Sequence, residues 1–318
     1  MHDASVSVLG ADTSSLWIAL DFEVPMPARS DPLRIVLQVL LYVALYYLAL
    51  LSLATVSQWL GLYLVGETAS MLFAAVFANW ISLRIHHGYR LWDAGLWWCR
   101  ASAVNLGLGM AGGVAAACLV LVPPLLVGAA RIERTPADPG AWSSAVMLAI
   151  VLAMGAAGEE LFFRGYGFQV LLKAIGAFAT ILPVGVVFAL LHGGNPHATW
   201  FGIANTAGFG ILFGYAYWRS RDLWLPIGLH FGWNLTLPLF GVNLSGLTMN
   251  VTGYAMAWSA GRLWSGGDYG PEASVLTSAA LVALCVYLWK VPVRRQTSPL
   301  DGPAAEDSIC EPSSPSAF

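Results

Sequence analysis

The chain has 318 residues, of which 58% are hydrophobic and only 10% charged, and its net charge is −3. Soluble domains carry roughly a quarter charged residues, so this composition excludes a soluble globular protein, and the small net charge gives no reason to expect a nucleic-acid partner. An all-α, polytopic membrane protein remains, in agreement with a mean hydropathy of +0.67.

In chain order, residues 1–32 read as a cytoplasmic N-terminal segment closed by Pro25, Pro27 and Pro32, with no basic run of the kind that opens a cleavable signal. The first span is expected over residues 33–65, longer than the roughly 20 residues a bilayer requires. Gly66 and Glu67 are expected to turn the chain into a second span over 68–83. A basic, tryptophan-rich stretch, 84–100, follows at the interface. The third span, 103–130, carries Pro123 and Pro124, which predict a kink. A loop over 131–141 closes this first membrane unit, 33–141. Four further spans follow: one beginning near Trp142, then 178–192, 198–218 and 223–240. Residues 241–271 are rich in Gly, Ser and Asn and are expected to form an external loop with some interfacial helix. An eighth span ends at Lys290, and 291–318 reads as a disordered cytoplasmic tail.

The count is therefore about eight transmembrane helices, and lysine and arginine set their orientation. With the N-terminus inside, Arg29, Arg34, Arg84, Arg90, Arg100, Lys173, Arg219, Arg221, Lys290, Arg294 and Arg295 fall in the cytoplasm. Only Arg131, Arg134 and Arg262 fall outside. Both termini are thus expected on the cytoplasmic side.

Three polar groups interrupt the apolar spans: Glu159 and Glu160 with Arg164, then His192, then His230 with Asn234. Ionisable residues at membrane depth are expensive, and they usually face a protein interior and mark function. Arg164 lies one turn after Glu160 and should neutralise it, leaving Glu159 as the free carboxylate. A chain reversal near 173–176 is about sixteen residues from both Glu159 and His192, so two antiparallel helices would bring them to one depth, roughly 24 Å away. Phe188 and His192, like His230 and Asn234, share a helix face by their spacing of four. Taken singly, each of these is as readily a packing residue. Asn205 reads as interhelical glue, and His86, His87 and His197 as solvated loop residues. As a set on neighbouring helices they suit a hydrolase, with a carboxylate and a neutral imidazole to activate water and a His and an Asn to donate to an oxyanion.

The ordered trio E-E-x-x-x-R (Glu159, Glu160, Arg164), F-x-x-x-H (Phe188, His192) and H-x-x-x-N (His230, Asn234) resembles the CAAX prenyl protease and bacteriocin-processing family of intramembrane endopeptidases. The likeness covers about residues 150–240, including the stretch LWLPIGLHFGWN. It implies that 142–240 is a catalytic core whose site opens toward the cytoplasm. Glu159 and His192 would then activate water, and His230 and Asn234 would form the oxyanion hole. Glu160 would be a further catalytic or supporting residue, with Arg164 and Phe188 supporting. The implied substrate is a membrane-associated, prenylated or secreted protein or peptide, and lipid is the surrounding partner. A metal-free, glutamic-type reaction is favoured. Zinc held by Glu159, His192 and His230 is the alternative, although H-E-x-x-H is absent. Two other classes compete: a non-catalytic immunity or scaffold protein of the same fold, and a Glu/His-relay transporter. The expected location is a bacterial inner membrane.

Overall fold

The computed structural model describes residues 31–135, 141–249 and 251–301. Every span expected from the sequence is a helix: α1 Pro32–Trp59, α2 Tyr63–His87, α3 Arg100–Leu126, α4 Ala141–Arg164, α6 Ala177–Leu191, α7 Trp200–Ser220, α8 Trp224–Leu239 and α10 Val275–Lys290. Two shorter helices, α5 Tyr166–Ile175 and α9 Arg262–Ser265, and two paired strands complete the framework. Five segments are long and apolar enough to cross a membrane: α1, α2, α3, the α4–α5 stretch 143–175, and 177–194 around α6. That is fewer than the eight expected. α8 and α10 have 16 residues each, about 24 Å of helix against a hydrocarbon core of about 30 Å. α7 and α8 are lined with buried residues from end to end. An inner helix shielded by its neighbours does not need the hydropathy of one that faces lipid.

Because successive helices alternate in direction, the molecule has two ends. We call basal the end holding Pro32, residues 88–99, the Gly176 turn, residues 221–223 and the chain after Lys290. The distal end holds residues 60–62, 127–135, 192–199 and 240–274. The first helix stops earlier than its apolar run suggests. Gly61 adopts φ 72°, and the turn falls there, not at Gly66. Gly66 lies inside α2, where a side chain would strike Ser57 of α1. The distal loop contains a strand that its composition did not announce: Tyr254–Trp258 (β2) pairs antiparallel with Ala130–Arg134 (β1), Ile132 opposite Met256.

Two apolar cores fill the bundle. One joins α3, α7, α8 and α10, with Leu121, Phe213, Leu229, Trp233 and Leu284. The other joins α1, α2, α5 and the basal part of α7, with Tyr46, Ala78, Phe168 and Tyr217. α4 belongs to both, giving Leu148 and Leu152 to the first and Leu161 and Phe162 to the second. The closest helix contact is the crossing of α3 and α8, where each brings two glycines spaced by four. A Cβ on Gly232 would lie 2.6 Å from the Met110 carbonyl, and one on Gly113 would lie 2.7 Å from the Trp233 amide nitrogen. Gly109 and Gly228 meet the facing backbone in the same way. Small residues at this spacing let two membrane helices touch along their backbones, and this contact sets the position of His230 between Gly228 and Gly232.

Residues 291–301 depart from the expected disordered tail, while 302–318 lie outside the described residues. Asn105 of α3 donates to the Arg294 carbonyl at 2.8 Å and accepts from the Arg294 amide at 2.9 Å. Gln296 donates to Asp222 and to Ser102, and Ser298 donates to Gln169 of α5. Asp222 also accepts from Asn105 at 2.7 Å, and burial pushes its carboxyl up to about 6. The composition of the tail is that of a loop, but partners from α3, α5 and the α7–α8 turn hold its first eleven residues.

The glycine crossing makes a signed prediction. Gly113→Ala forces a methyl group into the α8 backbone and should cost about 1–3 kcal/mol. Gly107→Ala on the same helix meets open space and should be neutral or stabilising by up to about 1 kcal/mol. Thermal unfolding in detergent compares the two, and equal effects would mean that the crossing is loose.

Candidate active site

α4 carries its charged motif into the basal half of the bundle. Glu160 and Arg164 are both 0% exposed and form an ion pair at 3.1 Å. The guanidinium also donates to the Gly210 carbonyl of α7 at 2.6 Å and lies over the rings of Phe163, Phe188 and Phe213. The helix breaks directly after Arg164. Gly165 sits where a side chain would collide with Asn79 of α2. Asn79 satisfies the broken backbone, donating to the Leu161 carbonyl at 3.0 Å and accepting from the Tyr166 amide at 2.8 Å. Tyr42 of α1 donates to the Phe162 carbonyl at 2.8 Å. The N-terminal helices, which carry no diagnostic motif, thus hold the end of the helix that bears the carboxylates.

His230 of α8 faces this end of α4. Its Nδ1 lies 2.9 Å from Glu160 Oε1, and since a carboxylate only accepts, Nδ1 is the donor. The ring stacks on Phe213 at 4.8 Å between centroids. His192 ends α6, and its Nδ1 lies 2.8 Å from the Phe188 carbonyl, so that nitrogen also carries a proton. In both histidines Nε2 is therefore turned toward Glu159. The distances to Glu159 Oε2 are 3.8 Å from His192 and 4.0 Å from His230. Both exceed a hydrogen bond, so a proton passing between these groups needs a bridging molecule. Glu159 and His192 are each 19% exposed at the side chain, whereas Glu160 is sealed. The pairing of Glu160 with Arg164 and the freedom of Glu159 are as the spacing predicts.

Glu159, His192, His230 and Asn234 line one cavity of about 390 Å3. Apolar and aromatic residues make most of its remaining wall, among them Tyr46 and Tyr47 of α1, Met71 of α2, and Leu152 and Phe162 of α4. Its polar margin consists of Glu67, Asn195, Thr206, Ser245 and Glu272. Glu272 is fixed there, accepting from Trp233 Nε1 at 3.1 Å and from the Ser245 hydroxyl at 2.8 Å. All of these marginal residues belong to the distal loops or the distal ends of helices. This polar part of the wall therefore lies toward the end opposite the chain's basal loops and α10's last residue.

Of the residues read as bland, Asn205 and His197 keep that reading, whereas His86 and His87 are not loop residues but the last turn of α2. Asn205 ties α7 to the turn before α10, donating to the Glu272 and Ser274 carbonyls and accepting from Ser278. His86 and His87 pack beside Tyr166 at the basal end. His197 occupies a distal turn at φ 58°. Sequence reasoning missed Phe213, Tyr46, Tyr47 and Glu272, which lie on helices without a motif. The paired glycines of α3 and α8 were a readable signal, since both show the spacing of four. Among the described residues, no group of three His, Cys, Asp or Glu side chains is gathered closely enough to hold a metal ion.

Residues 141–236 match the family model Rce1-like, described as type II CAAX prenyl endopeptidase Rce1-like, in agreement with the family that the three motifs resemble. Neither the curated proteins nor the solved structures give a match.

The ion pair can be tested by a double-mutant cycle. Arg164→Ala leaves Glu160 buried and uncompensated, a loss of about 3–5 kcal/mol. Adding Glu160→Gln should recover part of it. Unfolding temperatures of the four proteins measure the coupling, and strictly additive losses would mean that the pair contributes nothing.

Proposed function

We propose that this integral membrane protein is an endopeptidase that hydrolyses a peptide bond of a protein or peptide substrate within its membrane-embedded cavity. Support comes from the family match over α4–α8 and above all from one observation: a buried carboxylate oxygen, Glu159 Oε2, has no hydrogen-bond partner and sits about 4 Å from two imidazole Nε2 atoms on a cavity wall. The charge asymmetry favours a bacterial inner membrane with cytoplasmic termini.

In this reading a water donates one hydrogen to Glu159 Oε2 and the other to His192 Nε2, which turns its lone pairs toward the scissile carbonyl carbon. Glu159 takes a proton as the C–O bond forms, acting as general base. The oxyanion is met by the Asn234 amide and by His230, protonated at Nε2 while its Nδ1–H stays on Glu160. Collapse breaks the C–N bond, and Glu159 returns its proton to the leaving amine. Glu160 and Arg164 touch no substrate and position His230.

We read the reaction as metal-free. Asn is an uncommon zinc ligand, and H-E-x-x-H is absent from the sequence. Chelation should therefore leave cleavage unchanged, and stoichiometric zinc whose removal and return switch activity off and on would overturn this.

Two substitutions test the roles. Glu159→Gln keeps the shape and should lower the cleavage rate by about 10²–10⁴ without altering the unfolding temperature. Cleavage at the original rate would end the assignment. Asn234→Asp places a charged acceptor where the oxyanion develops and should cost about 10² or more. In a metal site the added carboxylate would be tolerated, so the same measurement separates the two mechanisms.

A further inference from the structure

Three carboxylates line the cavity: Glu67 of α2, Glu159 of α4 and Glu272 of the turn before α10. Two of them have work already. Glu159 Oε2 faces the two imidazole Nε2 atoms. Glu272 accepts from Trp233 Nε1 on one oxygen and from the Ser245 amide and hydroxyl on the other. Glu67 has neither role. Among the described residues it takes part in no hydrogen bond and no ion pair.

That is unusual for its place. Glu67 lies inside a segment long and apolar enough to cross a membrane. Ionisable residues in such segments are rare, and they face a protein interior or a watery cavity and find a partner there. The helix supplies none, because Glu67 is the fifth residue of α2, past the first turn whose free amides favour a carboxylate. The cavity supplies none either. Among the described residues that line it there is no Lys or Arg.

The level of Glu67 follows from the packing of α2 on α4. The two helices run in the same direction: a Cβ on Gly155 would meet Thr68, and one on Gly158 would meet Leu72. Glu67 is therefore about one residue distal to the level of Gly155, and Glu159 is four residues basal to it. Five residues of helix are about 7.5 Å. An extended peptide covers that distance in about two residues, and residues two apart in a strand project to the same face.

We propose that Glu67 is a specificity-determining residue that reads a lysine or arginine about two residues from the bond to be cut. This rests on the proteolytic reading and narrows its substrate to a polypeptide with a cation within an apolar stretch. Leu50, Leu64 and Met71 line the cavity with Glu67 and suit the aliphatic stem of such a side chain, whose charged head reaches the carboxylate. An acidic residue at the same position would meet Glu67 with nothing to compensate it.

The test uses the purified full chain in detergent and fluorogenic peptides of alanine and leucine, each carrying one lysine, glutamine or glutamate at a stepped position. By kcat/KM the best lysine peptide should be cut about tenfold better than its glutamine counterpart, and the glutamate peptide should be the slowest. Mass spectrometry should place the cut about two residues from the lysine. Glu67→Gln should bring the lysine-to-glutamine ratio close to one, and Glu67→Lys should turn the preference toward glutamate. A parent without lysine preference, or a Glu67→Gln variant that keeps it, overturns the proposal. Binding of the labelled peptides to Glu159→Gln, followed by fluorescence anisotropy, separates this from failure of the proteolytic reading. The same preference should appear there and vanish when Glu67→Gln is added. If it appears while the parent cuts no peptide, the proteolytic reading fails and recognition by Glu67 stands; if it is absent, the proposal falls.

Discussion

A fully buried carboxylate, Glu160, is the constraint around which this bundle is arranged. Taking a carboxylate and a guanidinium out of water costs several kcal/mol each, and attraction offsets this only when the remaining hydrogen-bonding capacity is used. Here Glu160 receives His230 as well as Arg164, and the guanidinium adds a carbonyl of α7 and three aromatic faces. Three helices, α4, α7 and α8, are thereby locked at one level. The lock also separates two chemically identical neighbours. Glu160 is held by the Arg164 guanidinium and the His230 Nδ1–H, whereas Glu159, one residue earlier and turned to the cavity, keeps an oxygen without a hydrogen-bond partner.

The lock works only if α8 comes close enough, and this is set by glycine, not by charge. Between apolar helices in lipid there is little hydrophobic driving force, so association depends on close van der Waals contact and on polar links. The α3–α8 crossing supplies the first and the Glu160 cluster the second. Short inner helices are a result. α8 does not span the bilayer unaided, because its ends are covered by the distal loop and by the residues after Lys290.

The chemistry was more legible in the sequence than the architecture. Charged and amide residues in apolar runs stand out, and their spacings of four fix which share a face. Glu159, Glu160, Arg164, His192, His230 and Asn234 could therefore be picked out with the Glu160–Arg164 pairing already assigned. Periodicity does not see where an apolar run turns. Gly61 ended α1 within a continuous apolar stretch, while the more conspicuous Gly66–Glu67 stayed helical because α1 packs closely there. The β1–β2 pairing joins five-residue strands more than a hundred positions apart, beyond any local signal. The apolar wall of the cavity came from side chains of helices without motifs, such as Tyr46, Tyr47 and Met71, and could not be read from the motif residues.

Asn105 shows what this architecture asks of the chain during synthesis. It is an amide placed in an apolar membrane helix, and its partners at Arg294 lie 189 residues further on. From the insertion of α3 until Asp222 is made, Asn105 must remain wet, borrow a transient partner or bear the cost of desolvation, and its oxygen waits longer, for the Arg294 amide. Asp222 meets Asn105 and the Leu225 amide early and waits only for Gln296. The residues after Lys290 thus act as a completion signal. A chain halted before them contains every candidate site residue but leaves polar atoms unmatched at the basal end, the kind of defect by which a cell's proteases can tell an unfinished membrane protein from a finished one.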